Sequence, residues 1–387
     1  MSDPMFRRSV RLIALILMLT GLPVGSFSLA FQKTTNTTDY ASMFDRLDEQ
    51  LNNGHGYIGD SNRAGSLAWG EGYVLDAYVQ MYRATGDRGY LSKMIDQFNK
   101  VLAMRDNKRG IADAYYGRPV AGWGSDEFTP GKWHVWAVHT GMILLGPSEF
   151  LKIIQNNWHL NRIYRKEYHD YIKDIEQAIA VFEPDWHNGP AADEGYYSDP
   201  AIGPLPLDQQ DCLGTVIANM YLVTRNHFYK ERAAKLANYF KNRMRREPDG
   251  TYDWPYWPKP NGAGDGSSDI AHAGADVNFA VHCAEAHVVF NAADMRAFAK
   301  TWLKKIYRGD HQWADTVGGG GAGNTFVRQA AGCWLSLYPY DHALFNNIAK
   351  VYSQMDSDQV DGASLLGIAE MARWQHAMNK KRGWWIF

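Results

Sequence analysis

The sequence contains little cysteine and shows no excess of charge of either sign. Three cysteines occur among 387 residues, with no CxxC pair among them, so we expect neither a zinc site nor a disulfide framework. Forty basic residues against 42 acidic ones give a net charge of −2, without the basic footprint that a nucleic-acid partner or an anionic membrane surface would require. The GxSxG and GxxxxGK(S/T) motifs are also missing, so serine-hydrolase and phosphate-loop chemistry have no support.

Long hydrophobic runs are missing except at the N-terminus. There, three arginines precede an apolar run from Leu12 to Leu22, which is followed by GLPVG and by small residues up to Ala30. This order of basic, apolar and small residues is typical of a secretory signal peptide, so we expect residues 1–30 to be removed and residues 31–387 to be periplasmic or secreted. The run is short for a membrane span, and we expect no membrane association after cleavage.

What the sequence does contain is a series of paired amphipathic helices. Apolar residues recur with a period of about 3.6 residues, and no convincing strand is present. The first helix of a pair is small and apolar and the second is charged, which suits an inner ring of helices wrapped by an outer ring. The pattern predicts an all-α fold, an (α/α) toroid of about six to seven helical hairpins in a single domain. The helical segments are 72–104, 133–154 continued by 168–182, 208–244, 270–307, 326–355 and 363–378.

The loops between these pairs share a composition. The chain is 13% aromatic and contains 14 Trp, more than a core requires, and many of these residues fall in loops that are rich in Gly and Asp. A toroid gathers such loops on one face, where aromatic rings can stack on the apolar face of a sugar. We therefore expect a carbohydrate-binding cleft on that face; the alternative is that the aromatic residues only fill the core.

Several residues in loops and at helix starts are candidates for binding substrate. Trp69 can act as a platform and Glu71 as a cleft carboxylate, although the helix dipole alone also favours a glutamate at a helix start. His134 and His139 are five residues apart, which is poor spacing for a metal pair, and His139 is also compatible with a core position. The other candidates lie in two loops: Glu194 beside Asp193, Tyr196 and Tyr197, with Gln209 following; and Asn324 with Arg328 after four consecutive glycines.

The strongest candidate is a histidine in the stretch DGSSDIAHAGADVNFA. Asp269 is a good N-cap for the helix that begins here, and His272 lies in its first turn. We expect the positive end of the helix dipole to lower the pKa of His272, so that a neutral imidazole can accept a proton as a general base. Asp269 would cap the helix, orient the imidazole ring, or both.

Four motifs resemble a known family. The stretches WGEGY, WHVWAVHTG, LPLDQQDCLG and SDIAHAGADVNFA look like those of the (α/α)-barrel polysaccharide lyases of polysaccharide lyase family 38, the alginate and glucuronan lyase group. The resemblance covers most of residues 31–387. It implies β-elimination on an acidic polysaccharide without a metal or organic cofactor. It also implies that His272 is the base, that Arg328 neutralises the uronate carboxylate, and that a tyrosine, either Tyr256 or Tyr197, acts as acid.

The physical logic of such a lyase limits what its site must contain. The C5 proton of a uronate can be removed only if the adjacent carboxylate is neutralised as charge develops, and an acid then protonates the leaving oxygen. Two other classes stay open on the same toroid. One is a glycoside hydrolase with paired carboxylates, Glu71 with Asp193 or Glu194; the other is a carbohydrate-binding protein without catalysis.

Overall fold

The computed structural model describes residues 38–262, 264, 266–309, 311–322, 326–353, 355 and 360–383. The predicted signal peptide therefore lies outside the described residues. Residues Asp39–Phe387 form one compact unit. Within the described ranges, no helix combines the length and the apolar character that a membrane span requires.

Helices dominate the fold, as the sequence pattern predicts. Two π-helical turns, Leu67–Gly72 and Trp302–Ile306, and a 3-10 turn, Glu183–Asp185, accompany them. The α-helices of the described residues are α1 Tyr40–Gln50, α2 Tyr73–Thr85, α3 Arg88–Ala103, α4 Asp106–Arg109, α5 Ala137–Gln155, α6 Trp158–Ile163, α7 Arg165–Ala180, α8 Leu207–Thr224, α9 His227–Lys241, α10 Ile270–Glu285, α11 Ala292–Thr301, α12 Val327–Leu335, α13 Ala343–Tyr352 and α14 Gly362–Gly383.

Six helices form a closed inner ring. Helices α2, α5, α8, α10, α12 and α14 each pack against the next, and α14 returns to pack against α2. An outer helix pairs with each of them, in the same order α3, α7, α9, α11, α13 and finally α1, which comes from the start of the chain. The predicted (α/α) toroid is confirmed, with six hairpins around the ring.

Close approach within the inner ring depends on glycines of α5, a helix that is buried along almost its whole length. A Cβ atom added at Gly141 would lie 2.4 Å from the carbonyl carbon of Cys212 on α8, and one added at Gly146 would lie 2.5 Å from the backbone nitrogen of Asp76 on α2. Neither position has room for a larger side chain, so these glycines set the spacing between α5 and its two neighbours.

The loops contain short antiparallel strands, which corrects the expectation of none. They are β1 Gly124–Ser125 with β2 His134–Val135, β3 Trp186–Asn188 with β4 Gly195–Asp199 and β5 Gly203–Pro204, β6 Arg245–Arg246 with β7 Tyr252–Asp253, and β8 Tyr307–Gly309 with β9 Gln312–Trp313. Most have two or three residues, too few for the alternation of apolar and polar residues that would identify a strand in the sequence. These hairpins fix the loops on one face of the toroid.

Candidate active site

A cavity of about 340 Å³ lies at the N-terminal ends of the inner helices, where α2, α8, α10 and α14 begin. Five aromatic side chains line it, and three carboxylates face it from separate parts of the chain: Glu127, Asp208 and Asp361. No Lys or Arg is found among the described residues that line it. The aromatic walls are contributed by Trp69, Tyr73, Phe128, Tyr256 and Phe326.

His272 lies in the cavity wall, as predicted, between two carboxylates. Its Nδ1 is hydrogen-bonded to Asp269 Oδ2, and its Nε2 lies 3.9 Å from Asp208 Oδ2. Asp269 also accepts hydrogen bonds from the backbone N–H groups of Ala271 and His272. Asp269 therefore both caps α10 and orients the imidazole. The ring of Tyr256 covers the same imidazole, with 4.7 Å between the ring centroids.

The expected low pKa of His272 is wrong. Burial opposes the charged imidazolium, but the hydrogen bond to Asp269 and the negative charges of Asp208 and Asp269 outweigh burial and raise the pKa of His272 to about 9. Carboxylates a few ångströms away act more strongly on the ring than the partial charge of a helix N-terminus. His272 is therefore protonated near neutral pH and can donate a proton rather than accept one.

Asp208 is the buried carboxylate of the cavity, in the first turn of α8. Burial raises its pKa to about 6, against the charge of His272, which lowers it. Its buried Oδ1 has no hydrogen-bond donor among the described residues. Next to it, Gln209 lines the cavity as predicted and hydrogen-bonds the phenol of Tyr256, whose pKa is raised by burial and by the charge of Asp208. Asp208 thus has the environment of an acid that can carry a proton near neutral pH.

Glu127 is held on the other side of the cavity by two neutral N–H groups. Its Oε2 accepts a hydrogen bond from Trp69 Nε1 at 2.8 Å and lies 3.0 Å from His139 Nε2. Trp69 lines the cavity, as predicted, whereas His139 is fully buried behind Glu127 and does not line it. Both residues therefore act on the cavity through Glu127, and the core position that the sequence left open for His139 is the one observed.

Asp361 is the third carboxylate, at the start of α14. Its Oδ1 accepts the backbone N–H of Ser364 at 2.7 Å, and its Oδ2 lies 3.5 Å from Arg328 Nη2. Arg328 is half-buried beside the cavity and does not line it, although Phe326 and Gln329 on either side of it do. Asn324, predicted to bind substrate in the same segment, lies outside the described residues.

Glu71 does not reach the cavity. The carboxyl group is completely buried, and its Oε2 accepts the backbone N–H of Tyr57 at 2.8 Å. Burial raises the pKa of Glu71 to about 8. The phenol of Tyr57 in turn accepts the N–H of Gly362 at 3.1 Å. Glu71 thus helps to attach an N-terminal loop to the last helix, where the ring closes.

Three other predicted residues are also placed away from the cavity. His134 is fully buried, 2.9 Å from Asp113 and 3.0 Å from Asp199, and their hydrogen bonds raise its pKa to about 9 against the effect of burial. Tyr197 is buried against Trp186, with ring centroids 5.1 Å apart. Glu194 is paired with Arg243 at 3.3 Å. These contacts hold loops together, so Tyr256 is the candidate tyrosine that the structure places in the cavity.

None of the three carboxylates of the cavity stands out in the sequence. Asp208 directly precedes Gln209 in the motif LPLDQQDCLG, and Glu127 directly precedes Phe128 in an acidic loop segment. In both cases a neighbouring residue that also lines the cavity was the only available signal. Asp361 precedes the helix start at Gly362, a position typical of a capping residue.

One group of side chains among the described residues has the spacing of a metal site. Glu149, His282 and Glu285 have ligand atoms within 4.8 Å of one another. The ammonium group of Lys152 already lies there, 2.5 Å from Glu149 and 2.7 Å from Glu285. A built-in cation therefore occupies the position between these carboxylates.

Comparison with known proteins places this geometry in a fold class. The sequence matches no protein-family model and no curated protein. Among solved structures, a glycoside hydrolase family 76 mannosidase from Bacteroides thetaiotaomicron is similar at 14% identity and a TM-score of 0.56, over 89% of this chain and 100% of that one. An inactive variant of a family 76 α-1,6-mannanase from a Salegentibacter species, with two aspartates replaced by alanine, is similar at 12% identity and a TM-score of 0.53, over 88% of this chain and 100% of that one.

A polysaccharide lyase is also similar in structure, at 14% identity and a TM-score of 0.50, over 88% of this chain and 99% of that one. Identities this low establish the fold and leave the chemistry to be argued from the site. The chain has the (α/α)-toroid fold that these glycan-processing proteins share.

Proposed function

We propose that this protein is a glycoside hydrolase that cleaves a neutral polysaccharide of the mannan type. The observation that carries the proposal is the pairing of Asp208 and Glu127 in one aromatic cavity, in different electrostatic environments. Hydrolysis of a glycosidic bond needs one carboxyl group that can give a proton and a second that acts as nucleophile or activates water. A cavity that keeps one acid buried and the other bound by N–H donors meets that requirement.

Asp208 is the proposed general acid. Its pKa, raised to about 6 by burial, lets it hold a proton near neutral pH and give it to the leaving glycosidic oxygen. His272, protonated and 3.9 Å away, would stabilise the Asp208 carboxylate that remains after the transfer. Asp269 keeps the imidazole in place for this role.

Glu127 is the proposed second carboxylate. Trp69 and His139 both bind Oε2, so this oxygen is held while Oε1 is left to act on the sugar or on a water molecule. This pair replaces the one expected from the sequence, because Glu71 and Glu194 lie outside the cavity and Asp193 is exposed on a loop.

The charge of the cavity favours a neutral sugar over a uronate. Three carboxylates line it, and the cation in its described lining, the imidazolium of His272, is already held between Asp269 and Asp208 instead of offsetting the carboxylate of a bound uronate. Aromatic side chains supply the apolar surface on which a sugar ring stacks. The mannosidase and mannanase of the same fold act on sugars without charge, which agrees with this choice. Export of the protein to the periplasm or beyond, as its N-terminus predicts, would place it with such substrates.

A uronate lyase is the second candidate, favoured by the contact of Tyr256 with His272 in the cavity wall. In that reaction Tyr256 would protonate the leaving oxygen, and Arg328, beside Asp361, would have to turn toward the uronate carboxylate. The structurally similar polysaccharide lyase and the motif SDIAHAGADVNFA support it. The high pKa of His272 opposes its use as the base.

One assay separates these reactions. The protein is incubated with α-1,6-linked mannan, alginate or glucuronan while reducing ends and ultraviolet absorbance are both followed. We expect reducing ends from the mannan without absorbance, loss of this activity in Glu127→Gln, and retention of it in Asp193→Asn, a matched loss of a carboxylate outside the cavity. Absorbing, unsaturated products from either uronate polymer would replace the hydrolase proposal by the lyase.

A further inference from the structure

The contact between His139 and Glu127 indicates how the second proposed carboxylate is held in place. His139 Nε2 faces Glu127 Oε2 at 3.0 Å, and its Nδ1 lies 3.4 Å from the hydroxyl of Ser125. A carboxylate oxygen can only accept a hydrogen bond, so Nε2 must carry the proton. In a neutral ring, Nδ1 is then the acceptor, and the hydroxyl of Ser125 is the donor that matches it.

The surroundings of His139 favour this neutral form. The ring is fully buried, and burial lowers the pKa of His139 although the hydrogen bond to Glu127 acts in the opposite direction. The charged His134, on the preceding strand, lowers the pKa of His139 further. Glu127 and His134 are the ionisable groups that act on the ring in the described structure. Only the first of them is hydrogen-bonded to it.

The imidazole is also fixed in position by the residues around it. Trp69 packs edge-on against it with 5.3 Å between ring centroids, and Phe128 lies 5.5 Å away. A Cβ atom at Gly65, where φ is +66°, would lie 2.6 Å from Glu127 Oε2 and 2.8 Å from His139 Cε1. Position 65 therefore has room only for glycine, and the carbonyl of Gly65 accepts the backbone N–H of Trp69 at 2.9 Å. The group is therefore packed as a unit around the carboxylate.

We infer that His139 is a positioning residue, which Ser125 holds in the Nε2–H tautomer so that it fixes and stabilises the ionised carboxylate of Glu127. The effect on catalysis rests on the proposed function, whereas the hydrogen bond and the tautomer do not depend on it. The arrangement explains why a buried histidine without access to substrate stands behind the cavity, and why the hydroxyl of Ser125, on β1, lies beside its Nδ1. Removal of the Nε2 donor should make the negative charge on Glu127 less favourable, and removal of the Ser125 hydroxyl should free the ring to adopt the other tautomer.

The indole N–H of Trp69 gives a readout that does not depend on activity. Because it donates to Glu127 at 2.8 Å, its NMR resonance at fixed pH should report how that carboxylate is held. We expect His139→Leu to shift this resonance, because Oε2 then loses one of its two donors, and His139→Gln, whose amide can place a donor near the Nε2 position, to restore it. Ser125→Ala should shift it in the same direction by a smaller amount.

Kinetics provide the second readout. If Glu127 acts in its ionised form, kcat should fall about tenfold in His139→Leu while KM changes little. Thr140→Val is the matched control, because Thr140 is the buried neighbour of His139 and its hydroxyl has no partner among the described residues. It should leave both the indole resonance and kcat unchanged.

The outcomes of the two readouts distinguish the two proposals. A shifted indole resonance without any hydrolysis supports the role of His139 and overturns the hydrolase. Hydrolysis with an indole resonance that His139→Leu leaves in its wild-type position overturns the role of His139, as does a His139→Gln variant that behaves like His139→Leu. The inference stands if the leucine variant shifts the resonance and the glutamine variant restores it.

Discussion

Acidic side chains are buried at both ends of the inner ring, but nearby cations compensate their charges to different extents. At the C-terminal ends of α5 and α10, Glu149 and Glu285 surround the ammonium of Lys152, at 2.5 Å and 2.7 Å. Burial opposes the charge of Glu149, but Arg83 and Lys152 hold the pKa of Glu149 well below its ordinary range. At the N-terminal ends, burial raises the pKa of Asp208 to about 6. The carboxylates around Lys152 are paired with cations, whereas Asp208 is a carboxyl group able to exchange a proton.

This difference indicates that the cluster around Lys152 stabilises the fold and that the cavity with Asp208 can take part in catalysis. A buried carboxylate that is fully paired with cations cannot change its protonation without breaking those pairs. A buried carboxyl group without such partners stays near its titration point. We therefore expect substitutions at the cluster around Lys152 to change stability and substitutions at the cavity to change turnover.

The largest expected effect is at Asp208. Asp208→Asn removes the proposed acid while keeping the shape of the side chain, so kcat for hydrolysis should fall about thousandfold. The free energy of unfolding should not fall, because a buried group with an unpaired oxygen is replaced by a neutral one. Turnover assays and urea unfolding on the same preparation test both parts. An Asp208→Asn variant with near wild-type kcat removes Asp208 from the mechanism.

The opposite pattern is expected at Lys152. Lys152→Met leaves Glu149 and Glu285 without their shared cation, so the free energy of unfolding should fall by about 3–5 kcal/mol. The kcat of the protein that remains folded should be unchanged. Lys166→Met, which breaks the exposed pair with Asp170, is the matched control and should be indistinguishable from wild type in unfolding. Equal unfolding curves for the two variants would show that the cluster around Lys152 stabilises the fold no more than an exposed ion pair does.

Glu71 is a third kind of buried carboxyl group. It has no ion-pair partner among the described residues and does not reach the cavity. Its pKa is raised from 4.5 to about 8, so the folded state keeps a proton that the unfolded chain has lost. Stability from this group is therefore full below its unfolded pKa and declines as pH rises toward about 8. Over that range, Glu71→Gln should remove a slope of up to about 1 kcal/mol per pH unit. Parallel pH dependences of unfolding in the two proteins would show that Glu71 is ionised in the fold.

A gradual decline in rate is expected on the alkaline side of the pH profile. Because Asp208 must be protonated to act as acid, kcat/KM should begin to fall above about pH 6, by roughly tenfold for each further unit. The measurement is initial rates at low substrate concentration across pH, with unfolding followed in parallel to exclude denaturation. A rate that stays flat well into the alkaline range would assign the acid to a group of higher pKa, such as His272.

The sequence is a good guide to the ring and a partial guide to the cavity. The helical period and the contrast between apolar and charged helices are local properties, and they predict the toroid correctly. Residues at helix starts are predictable for the same reason: His272, Gln209 and Trp69 all lie in the cavity, because inner helices begin on one face. The two-residue strands have no period to detect and were missed.

Loop residues are harder, because distant partners decide their burial. Glu194 is paired with Arg243, 49 residues away, and His134 lies between Asp113 and Asp199, which are 21 and 65 residues from it. No spacing in the sequence indicates such contacts. The pKa of His272 was predicted with the wrong sign for a related reason: Asp208, in another helix, lies close to it only in the folded chain. Glu127 likewise becomes recognisable only once Trp69 and His139 are seen to bind it.

The source of the oxygen in the product distinguishes hydrolysis from elimination. Cleavage of α-1,6-linked mannan in water enriched in the heavy oxygen isotope, followed by mass spectrometry, counts the solvent oxygens that enter the new reducing end. We expect one heavy oxygen per bond cleaved, and loss of cleavage in Asp208→Asn and Glu127→Gln. Cleavage of a uronate polymer to products that lack solvent oxygen and contain a new double bond would contradict the hydrolase proposal.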